Sequence, residues 1–329
     1  MTSSSDLPTP APAATAPAAA LSTMWAVQPR FERDLGAFFA RAAELGFAGV
    51  EINHSMDAAQ AGAILAQRQL PVVAVHAPAP LERHPSAGWN RSLDLAAEEE
   101  AERALAVRYT ERSIDLATAA DARIVVVHLG AVAGGQIRAE RTLRRLVERG
   151  ATAGEEWEAA ADEAVRERAE RAPAALERAR RSLAELARAA GERGVTLGLE
   201  CRLHYHEIPL PAEAAELLAE HPPEVVGYVH DVGHAEVQHR LGLTDRGAWF
   251  DLLGERIVES HISDVRGLLD HRAPGNGDVD YGWLAERLPA AAVRTLEINQ
   301  HEPDDDLSRG LALLAAAGVV APPAAVPTA

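Results

Sequence analysis

Cysteine is almost absent from the sequence, with Cys201 as the single example in 329 residues. No intrachain disulfide can form, which excludes a small secreted scaffold held together by disulfides. No apolar run approaches the roughly 18 residues needed to cross a bilayer. The first twenty residues have neither the basic start nor the strong apolar segment of a signal peptide. These absences favour a cytoplasmic protein.

Basic residues are outnumbered, with 32 Lys and Arg against 49 Asp and Glu, which gives a net charge of -17 at pH 7. Such a surface disfavours broad contact with nucleic-acid backbones or anionic lipids. A hydrophobic share of 47% and a charged share of 25% are ordinary for a soluble globular protein. We therefore expect neither a membrane nor a nucleic acid as partner. The sequence is compatible with a homo-oligomer.

Segments rich in alanine and proline occupy both ends of the sequence. Residues 1–20 and 321–329 are poor in the large apolar residues that a core needs, so we expect both segments to be disordered. Residues 21–320 contain no linker and no repeat longer than one strand and one helix. We expect this range to fold as a single domain.

Short apolar runs recur along this range, and each is followed by a helical pattern. The eight runs are Leu21–Val27, Gly49–Ile52, Val72–His76, Ile124–His128, Thr196–Glu200, Val225–His230, Ile257–His261 and Thr295–Ile298. Runs that are apolar almost throughout, such as VVAVH and IVVVH, are typical of parallel strands buried on both faces. Eight such strands alternating with helices predict an α/β fold, the (β/α)8 TIM barrel.

The segments between the runs carry helix signals. Residues 31–46 end on Gly46, which is suited to cap a helix. Residues 154–194 are dense in Glu, Arg and Ala, and we expect two helices there, broken near Pro173. A charge-rich helix usually has a solvated face. A lid or a subunit contact is the alternative role of this long insertion, residues 131–195.

Six of the eight runs carry an ionisable residue at or beside their C-terminal end. These residues are His76, His128, Glu200, Asp231, His261 and Glu297. The C-terminal ends of all strands in a (β/α)8 barrel face one pocket. Any one of these side chains could be a satisfied core histidine or a paired carboxylate, but six together predict an active site.

Four of these residues recur at a regular spacing. Glu200, Asp231, His261 and Glu297 are separated by 31, 30 and 36 residues, each about one strand and one helix. Three carboxylates that converge without a cation would repel one another strongly. Carboxylate oxygens with one imidazole suit Mn²⁺, Mg²⁺, Co²⁺ or Zn²⁺. The spacing therefore predicts a divalent-metal site.

Several motifs around these residues resemble those of the xylose isomerase-like TIM barrel superfamily. They are LGLE (197–200), HDVGHA (230–235), ESHISD (259–264), HRAPGNGDVDY (271–281) and LEIN (296–299). The resemblance covers roughly residues 21–318. The superfamily includes sugar phosphate isomerases and epimerases, inosose dehydratases and endonuclease IV.

The resemblance implies roles for individual residues. It places the metal ligands at the same four residues as the spacing does, and the acid/base pair of the epimerases at Glu200 and Glu297. His234 matches a histidine that contacts substrate or a second metal. His271 matches a loop position that binds substrate or, in endonuclease IV, zinc.

The resemblance to endonuclease IV implies the main alternative function, which is cleavage of DNA at abasic sites by a cluster of zinc ions. Eight of its ligand positions match residues of this chain: His76, His128, Glu200, Asp231, His234, His261, His271 and Glu297. Leu269 stands where the resemblance implies a further aspartate, and Asp270 is one residue away. The acidic net charge also disfavours DNA, so we rank nuclease activity below sugar chemistry.

We therefore expect a divalent-metal-dependent isomerase or epimerase that acts on a small sugar, a sugar phosphate or a cyclic polyol by glutamate-mediated proton transfer. An inosose dehydratase-type lyase is a close variant. The candidates for substrate binding or a second metal are His76, His128, His234, His271 and Arg202.

Four further residues near the strand ends are each interpreted from their own position and chemistry. Arg202 offers paired donors for a substrate oxygen or phosphate. Glu51 could line the pocket or pair with a helix, and both interpretations stay open. Trp25 is expected in the core, and Cys201 is expected to be a small buried residue with no role as a nucleophile.

Overall fold

A computed structural model describes residues 16–323 of the chain. The described residues contain twelve strands: β1 (Ala19–Ser22), β2 (Gly49–Ile52), β3 (Val72–His76), β4 (Arg83–His84), β5 (Gly88–Trp89), β6 (Ile124–Val127), β7 (Thr196–Glu200), β8 (Val226–Asp231), β9 (Ile257–Ile262), β10 (Asp264–Arg266), β11 (Leu269–Arg272) and β12 (Val293–Leu296). Eight of them close into a parallel barrel in the order β1-β12-β9-β8-β7-β6-β3-β2. This barrel confirms the predicted fold class.

The first and last barrel strands differ from their predicted positions. β1 ends at Ser22, whose side chain accepts a hydrogen bond from the Met24 N–H, and Thr23–Ala26 form a 3-10 helix instead. The strand also begins at Ala19, so the domain boundary predicted at residue 21 lies inside it. β12 ends at Leu296, two residues before the predicted end. Most of the two segments predicted to be disordered lies outside the described residues.

Ten α-helices occur in the described chain. They are α1 (Leu35–Leu45), α2 (Ala58–Ala66), α3 (Glu100–Ala119), α4 (Arg138–Glu148), α5 (Glu155–Arg193), α6 (Pro211–Ala219), α7 (Val232–Arg240), α8 (Arg246–Leu253), α9 (Tyr281–Ala285) and α10 (Asp304–Ala316). Gly46 ends α1 with a φ of 98°, a left-handed conformation that favours glycine. The cap predicted there is confirmed. None of these helices is both long and apolar enough to cross a membrane.

Helix α5 is continuous over 39 residues, so the predicted break near Pro173 is wrong. Proline in a helix interior removes one backbone hydrogen bond and costs about 3 kcal/mol or more. The helix buries Ala172 and Ala175 beside the proline, and Leu183 and Leu186 further along. It packs against α3, α4 and β7. Burial of apolar surface on both sides of the proline offsets the local cost.

The insertion that contains α4 and α5 covers part of the C-terminal end of the barrel. A second apolar cluster forms there, and its members include Ile137, Leu143, Ala164, Tyr205 and Val265. Arg168 of α5 is buried, donates to the Tyr205 carbonyl (2.6 Å) and pairs with Glu213. The insertion is therefore packed onto the loop after β7, and it is more than a solvated helical face.

The largest side chains of the main core lie between the barrel and its outer helices. Trp25 is fully buried and packs against Phe31 and Phe38, with ring centroids 5.5 and 6.3 Å apart. Its indole N–H donates to the Glu302 carbonyl at 2.9 Å. The core position predicted for Trp25 is confirmed.

Candidate metal centre and active site

The C-terminal ends of the strands surround a cavity of about 160 Å³. Its lining consists of Met24, Asn53, His54, Ser55, His76, His128, Glu200, Arg202, His234, His271 and Glu297. Seven of the nine predicted site residues belong to this lining. The other two, Asp231 and His261, are fully buried beside it. The structure therefore brings all nine together at one end of the barrel.

His261 lies at the centre of the predicted metal ligands. Its Nδ1 atom is 2.9 Å from Glu200 Oε1, 3.1 Å from Glu297 Oε2 and 3.7 Å from Asp231 Oδ2. Strands β7, β8 and β9 supply one residue each and Glu297 directly follows β12, and the C-terminal ends of these four strands are neighbours in the barrel. The three carboxylates that the regular spacing predicts as ligands thus meet around one nitrogen of the fourth residue, His261.

The opposite nitrogen of His261 is held by a carboxylate. His261 Nε2 lies 2.9 Å from Glu51 Oε2, and both side chains are fully buried. A proton on Nε2 that is donated to Glu51 leaves the lone pair on Nδ1, which faces the three carboxylates. A histidine that binds a metal usually donates its other ring N–H to such a partner. Glu51 therefore pairs with His261 and not with a helix, but it does not belong to the cavity lining among the described residues.

Asp231 directs one carboxylate oxygen towards His261 Nδ1, where Glu200 and Glu297 also meet. Its Oδ1 atom caps α7 by accepting the His234 backbone N–H at 2.7 Å. Its Oδ2 atom is buried and accepts no hydrogen bond from the described residues. A buried carboxylate oxygen without a partner is costly unless a cation binds it. This donor set fits a divalent ion, which would also displace a proton from His261.

His76 and His128 flank the outer oxygen of Glu200. His76 Nδ1 lies 3.1 Å from the Ala77 carbonyl, and its Nε2 is 3.6 Å from Glu200 Oε2. His128 Nε2 is 2.5 Å from the same oxygen. Arg202 Nη1 approaches both, at 2.5 Å from His128 Nε2 and 2.8 Å from Glu200 Oε2. His76, His128 and Glu200 form one corner of the site, and the guanidinium of Arg202 lies in this corner.

A second group of possible ligands lies on the other side of the cavity. Ligand atoms of Asp231, His234 and His271 lie within 4.8 Å of one another. His234 Nδ1 is 2.9 Å from the Cys201 carbonyl, which directs its Nε2 towards Asp270 Oδ2 at 3.7 Å. Asp270 Oδ2 is also 3.1 Å from His271 Nδ1.

Asp270, which follows Leu269, brings a carboxylate near His234 and His271. The side chain of Leu269 in β11 is exposed, whereas Asp270 Oδ2 is buried and accepts no well-formed hydrogen bond from the described chain. His271 adopts a φ of 53°, so the backbone after Asp270 departs from a regular strand. One residue of displacement along the sequence does not remove the carboxylate from this group.

Burial and neighbouring charges have opposite effects on the pKa values of the central residues. Burial opposes the ionisation of Glu200, but His128 and His261 outweigh burial and hold the pKa of Glu200 well below its usual range. Burial also opposes the ionisation of Glu297, whose pKa is lowered strongly by His261 and His271. Burial alone would lower the pKa of His261, but the nearby carboxylates raise it well above its ordinary value. Both glutamates are therefore ionised, which is the form that binds a metal.

Sequence reasoning missed several residues that contact this site. Asn53 and His54 follow β2 directly, and the Asn53 amide donates to Glu297 Oε1 at 3.1 Å. The same strand-end rule that selected the other residues would have selected these two. Glu259 lies two residues before His261 on the inward face of β9. Burial and the neighbouring Glu51 raise the pKa of Glu259 to about 7.

Cys201 is fully buried between the strands, as predicted. Its sulfur accepts the Asp231 backbone N–H at 3.2 Å, and burial raises the pKa of its thiol. A protonated, inaccessible thiol is a poor nucleophile. The residue therefore supports the backbone between two predicted metal ligands.

This chain belongs to the xylose isomerase-like TIM barrel family, whose model matches residues 39–317. The match includes every predicted site residue. It confirms the superfamily that the sequence motifs indicate.

Solved structures with the same fold include a D-tagatose 3-epimerase-like protein, at 17% identity and a TM-score of 0.64, which covers 91% of this chain and 96% of its own. An L-ribulose 3-epimerase has 17% identity and a TM-score of 0.60, with 90% and 86% covered. The IOLI protein, solved with a zinc atom, has 15% identity and a TM-score of 0.60, with 92% and 98% covered. These TM-scores show a shared fold. No curated protein matches the sequence significantly.

The contact between Glu51 and His261 gives a test of the metal centre. We expect Glu51→Gln to weaken Zn²⁺ binding about tenfold or more, because the neutral amide supports the imidazole less well than a carboxylate. Equilibrium titration with Zn²⁺ against a competing chelator measures the change. The matched control is Glu140→Gln, which changes a fully buried glutamate that lies outside the cavity lining. An unchanged Zn²⁺ affinity in Glu51→Gln would contradict the assignment.

Proposed function

We propose that this protein is a divalent-metal-dependent isomerase or epimerase that acts on a small sugar or a cyclic polyol by proton transfer. One observation carries the proposal. Two ionised glutamates, Glu200 and Glu297, meet at one imidazole beside a small cavity lined by ionisable side chains, and each offers an oxygen within 4.8 Å of the other's. Paired carboxylates at the mouth of a barrel suit removal and return of a proton.

Four residues would hold the metal: Glu200, Asp231, His261 and Glu297. The bound ion would polarise a substrate carbonyl and an adjacent hydroxyl, so that charge developing on their oxygens is stabilised. Glu51 keeps the His261 ring in the required orientation through its contact with Nε2. Asp231 keeps Oδ2 free because its other oxygen is committed to capping α7.

The proton transfer itself is assigned to the two glutamates. Asn53 holds Glu297 Oε1, while Oε2 faces the centre beside His261 and His271. We assign Glu297 the removal of a carbon-bound proton. Glu200 delivers a different proton, which it has taken up from solvent, to the same carbon on the other side, and Glu297 then releases its proton to solvent. Both groups ionise readily in the free protein, so either can serve as the base while the other, once protonated, serves as the acid.

The lining favours an uncharged substrate over a sugar phosphate. Among the described residues, Arg202 is the sole arginine or lysine that lines the cavity, and its guanidinium already pairs with Glu200 and Glu207. A phosphate would find no uncommitted permanent cation among the described lining residues. His76, His128, His234 and His271 remain to contact hydroxyl groups.

The test is isotope exchange in deuterated water. The protein, loaded with Mn²⁺, Co²⁺ or Zn²⁺ in separate samples, is incubated with a panel of ketoses and inososes. We expect incorporation of one carbon-bound deuterium, measured by NMR and mass spectrometry, because a glutamate base exchanges its proton with solvent. Product analysis separates epimerisation from loss of water, which is the lyase variant. Turnover without deuterium would show a hydride shift and would contradict the proton-transfer mechanism.

Asp270 is the observation that favours a second function. Its carboxylate completes a group with His234 and His271, as a metal-rich phosphodiesterase site requires. The same Zn²⁺-loaded protein is therefore incubated with a duplex that contains one abasic site. We expect no strand cleavage, given the net charge of -17. Strong cleavage without exchange on any sugar would replace the isomerase by the nuclease.

A further inference from the structure

Arg202 occupies the corner of the site between His128 and Glu200. Its Nη1 atom donates to Glu200 Oε2 at 2.8 Å and lies 2.5 Å from His128 Nε2. His76 Nε2 faces the same carboxylate oxygen at 3.6 Å. Two imidazole nitrogens and one carboxylate oxygen are a common ligand set for zinc. Here a guanidinium nitrogen lies within hydrogen-bond distance of two of these ligand atoms, His128 Nε2 and Glu200 Oε2.

The arginine is held in this corner from its far side. Arg202 Nε and Nη2 both donate to Glu207 Oε1, at 3.3 and 3.1 Å. Glu207 is fixed in turn, since its Oε2 accepts the His204 backbone N–H at 2.8 Å. The carbonyl of Arg202 accepts the Gln238 amide at 2.5 Å. The guanidinium therefore has a built position and is not a mobile surface charge.

This arrangement leaves no lone pair for a metal at His128 Nε2. If the nitrogen is unprotonated, its lone pair accepts the Arg202 N–H. If it is protonated, it donates to Glu200 Oε2, which lies 2.5 Å away. In either case a divalent ion at this corner would also face a permanent positive charge within hydrogen-bond distance.

We propose that Arg202 is a built-in cation that takes the place of a divalent ion at the His76, His128 and Glu200 corner. Glu200 then divides its two oxygens. Oε2 is neutralised by the guanidinium, and Oε1 faces His261 and the predicted metal position. The proposal uses the metal centre of the proposed function, but it depends on no particular substrate.

The consequence is a prediction about metal stoichiometry. Removing the guanidinium should free the ligands of the corner and create one additional binding site. We expect Arg202→Ala to bind one more equivalent of Zn²⁺ than the parent protein, whatever the parent's own count. Zinc is measured by elemental analysis after loading and gel filtration, and protein by amino-acid analysis.

A second substitution identifies where the additional ion binds. In Arg202→Ala/His128→Ala the zinc content should return to the parent value, because one ligand of the new site is missing. His128→Ala alone should leave the parent's zinc content unchanged. A loss of zinc in His128→Ala alone would show that the corner already holds a metal, and it would overturn the proposal.

One further variant covers the case in which Arg202→Ala does not fold, and another tests whether the loss of any buried arginine adds zinc. Arg202→Ala/Glu207→Gln removes the carboxylate charge that the missing arginine would leave unpaired, and it should show the same gain if the single variant does not fold. The matched control is Arg103→Ala, which removes a buried arginine of α3 that pairs with Glu100 and Glu185 away from the cavity. It should gain no zinc.

The outcomes distinguish this proposal from the proposed function. Equal zinc content in the parent and in folded Arg202 variants would overturn the role of Arg202. A gain of one equivalent without isotope exchange on any sugar would support that role and overturn the isomerase. If the parent protein binds no zinc and the Arg202→Ala variant binds one equivalent, the result supports Arg202 as the built-in cation. The same result would contradict the predicted four-residue metal centre.

Discussion

Replacing Glu297 with glutamine should reduce isotope exchange on the substrate by about 10²–10⁴-fold, which is the usual contribution of a positioned acid/base group. The amide keeps the size of the side chain and its contact with Asn53 but cannot accept a carbon-bound proton. Exchange is followed by NMR in deuterated water, and zinc content is measured in parallel because Glu297 is also a predicted ligand. The rate is compared at equal metal occupancy.

The matched control for this substitution is Glu302→Gln. Glu302 is a buried glutamate of the same loop region that pairs with Arg272 and does not line the cavity. We expect its exchange rate to stay within about threefold of the parent's, since no reacting group is changed. A metal-loaded Glu297→Gln protein that exchanged at the parent's rate would remove Glu297 from the mechanism.

Replacing Trp25 with alanine should lower the free energy of unfolding by about 3–5 kcal/mol, the usual cost of truncating a buried aromatic side chain. The change leaves a cavity beside Phe31 and Phe38, and it leaves the Glu302 carbonyl without its donor. Trp25→Phe keeps most of the volume and loses the hydrogen bond, so we expect a smaller cost. Chemical denaturation followed by circular dichroism measures both.

Trp89→Ala serves as the comparison for Trp25. This tryptophan lies in β5 and has 46% of its surface exposed. Its removal should change the free energy of unfolding by less than about 0.5 kcal/mol, as surface substitutions usually do. Equal losses for Trp89→Ala and Trp25→Ala would contradict the assignment of Trp25 to the core.

The strands of the barrel could be predicted because each is a short apolar run bounded by polar residues. β6 and β3 bury nearly every residue, so their composition distinguishes them from the helices around them. β1 was misplaced because its apolar run continues into Trp25 and Val27. Periodicity does not separate a strand from a 3-10 turn within one such run, and the hydrogen bond at Ser22 decides the boundary.

The unbroken helix α5 shows the limit of a local rule. Proline lowers the helix propensity of its own position, but the stability of a long helix comes mainly from the surface it buries. Ala172 and Ala175 beside Pro173 are buried against neighbouring elements, and that partner surface is absent from a local sequence window. Only the tertiary arrangement could have predicted continuity.

The site, like the fold, could be predicted from the sequence only in part. Its ligand candidates follow from strand ends, which the fold places in one pocket. The contacts between them do not follow, because Glu51 reaches His261 across 210 positions of sequence and Arg202 reaches His128 across 74. Spacing identifies which residues lie at the mouth, whereas the rotamers and loops decide which nitrogen faces which oxygen.

The closure of the barrel brings the two described ends of the chain together. The Ala321 backbone N–H donates to the Pro17 carbonyl at 2.8 Å, beside the start of β1 and therefore at the end of the barrel opposite the cavity. A short linker should join these points without strain, so the chain is suited to circular permutation. A purification tag or fused partner attached through either point would leave the cavity unobstructed, so the protein could be immobilised on a surface with the cavity open to solvent.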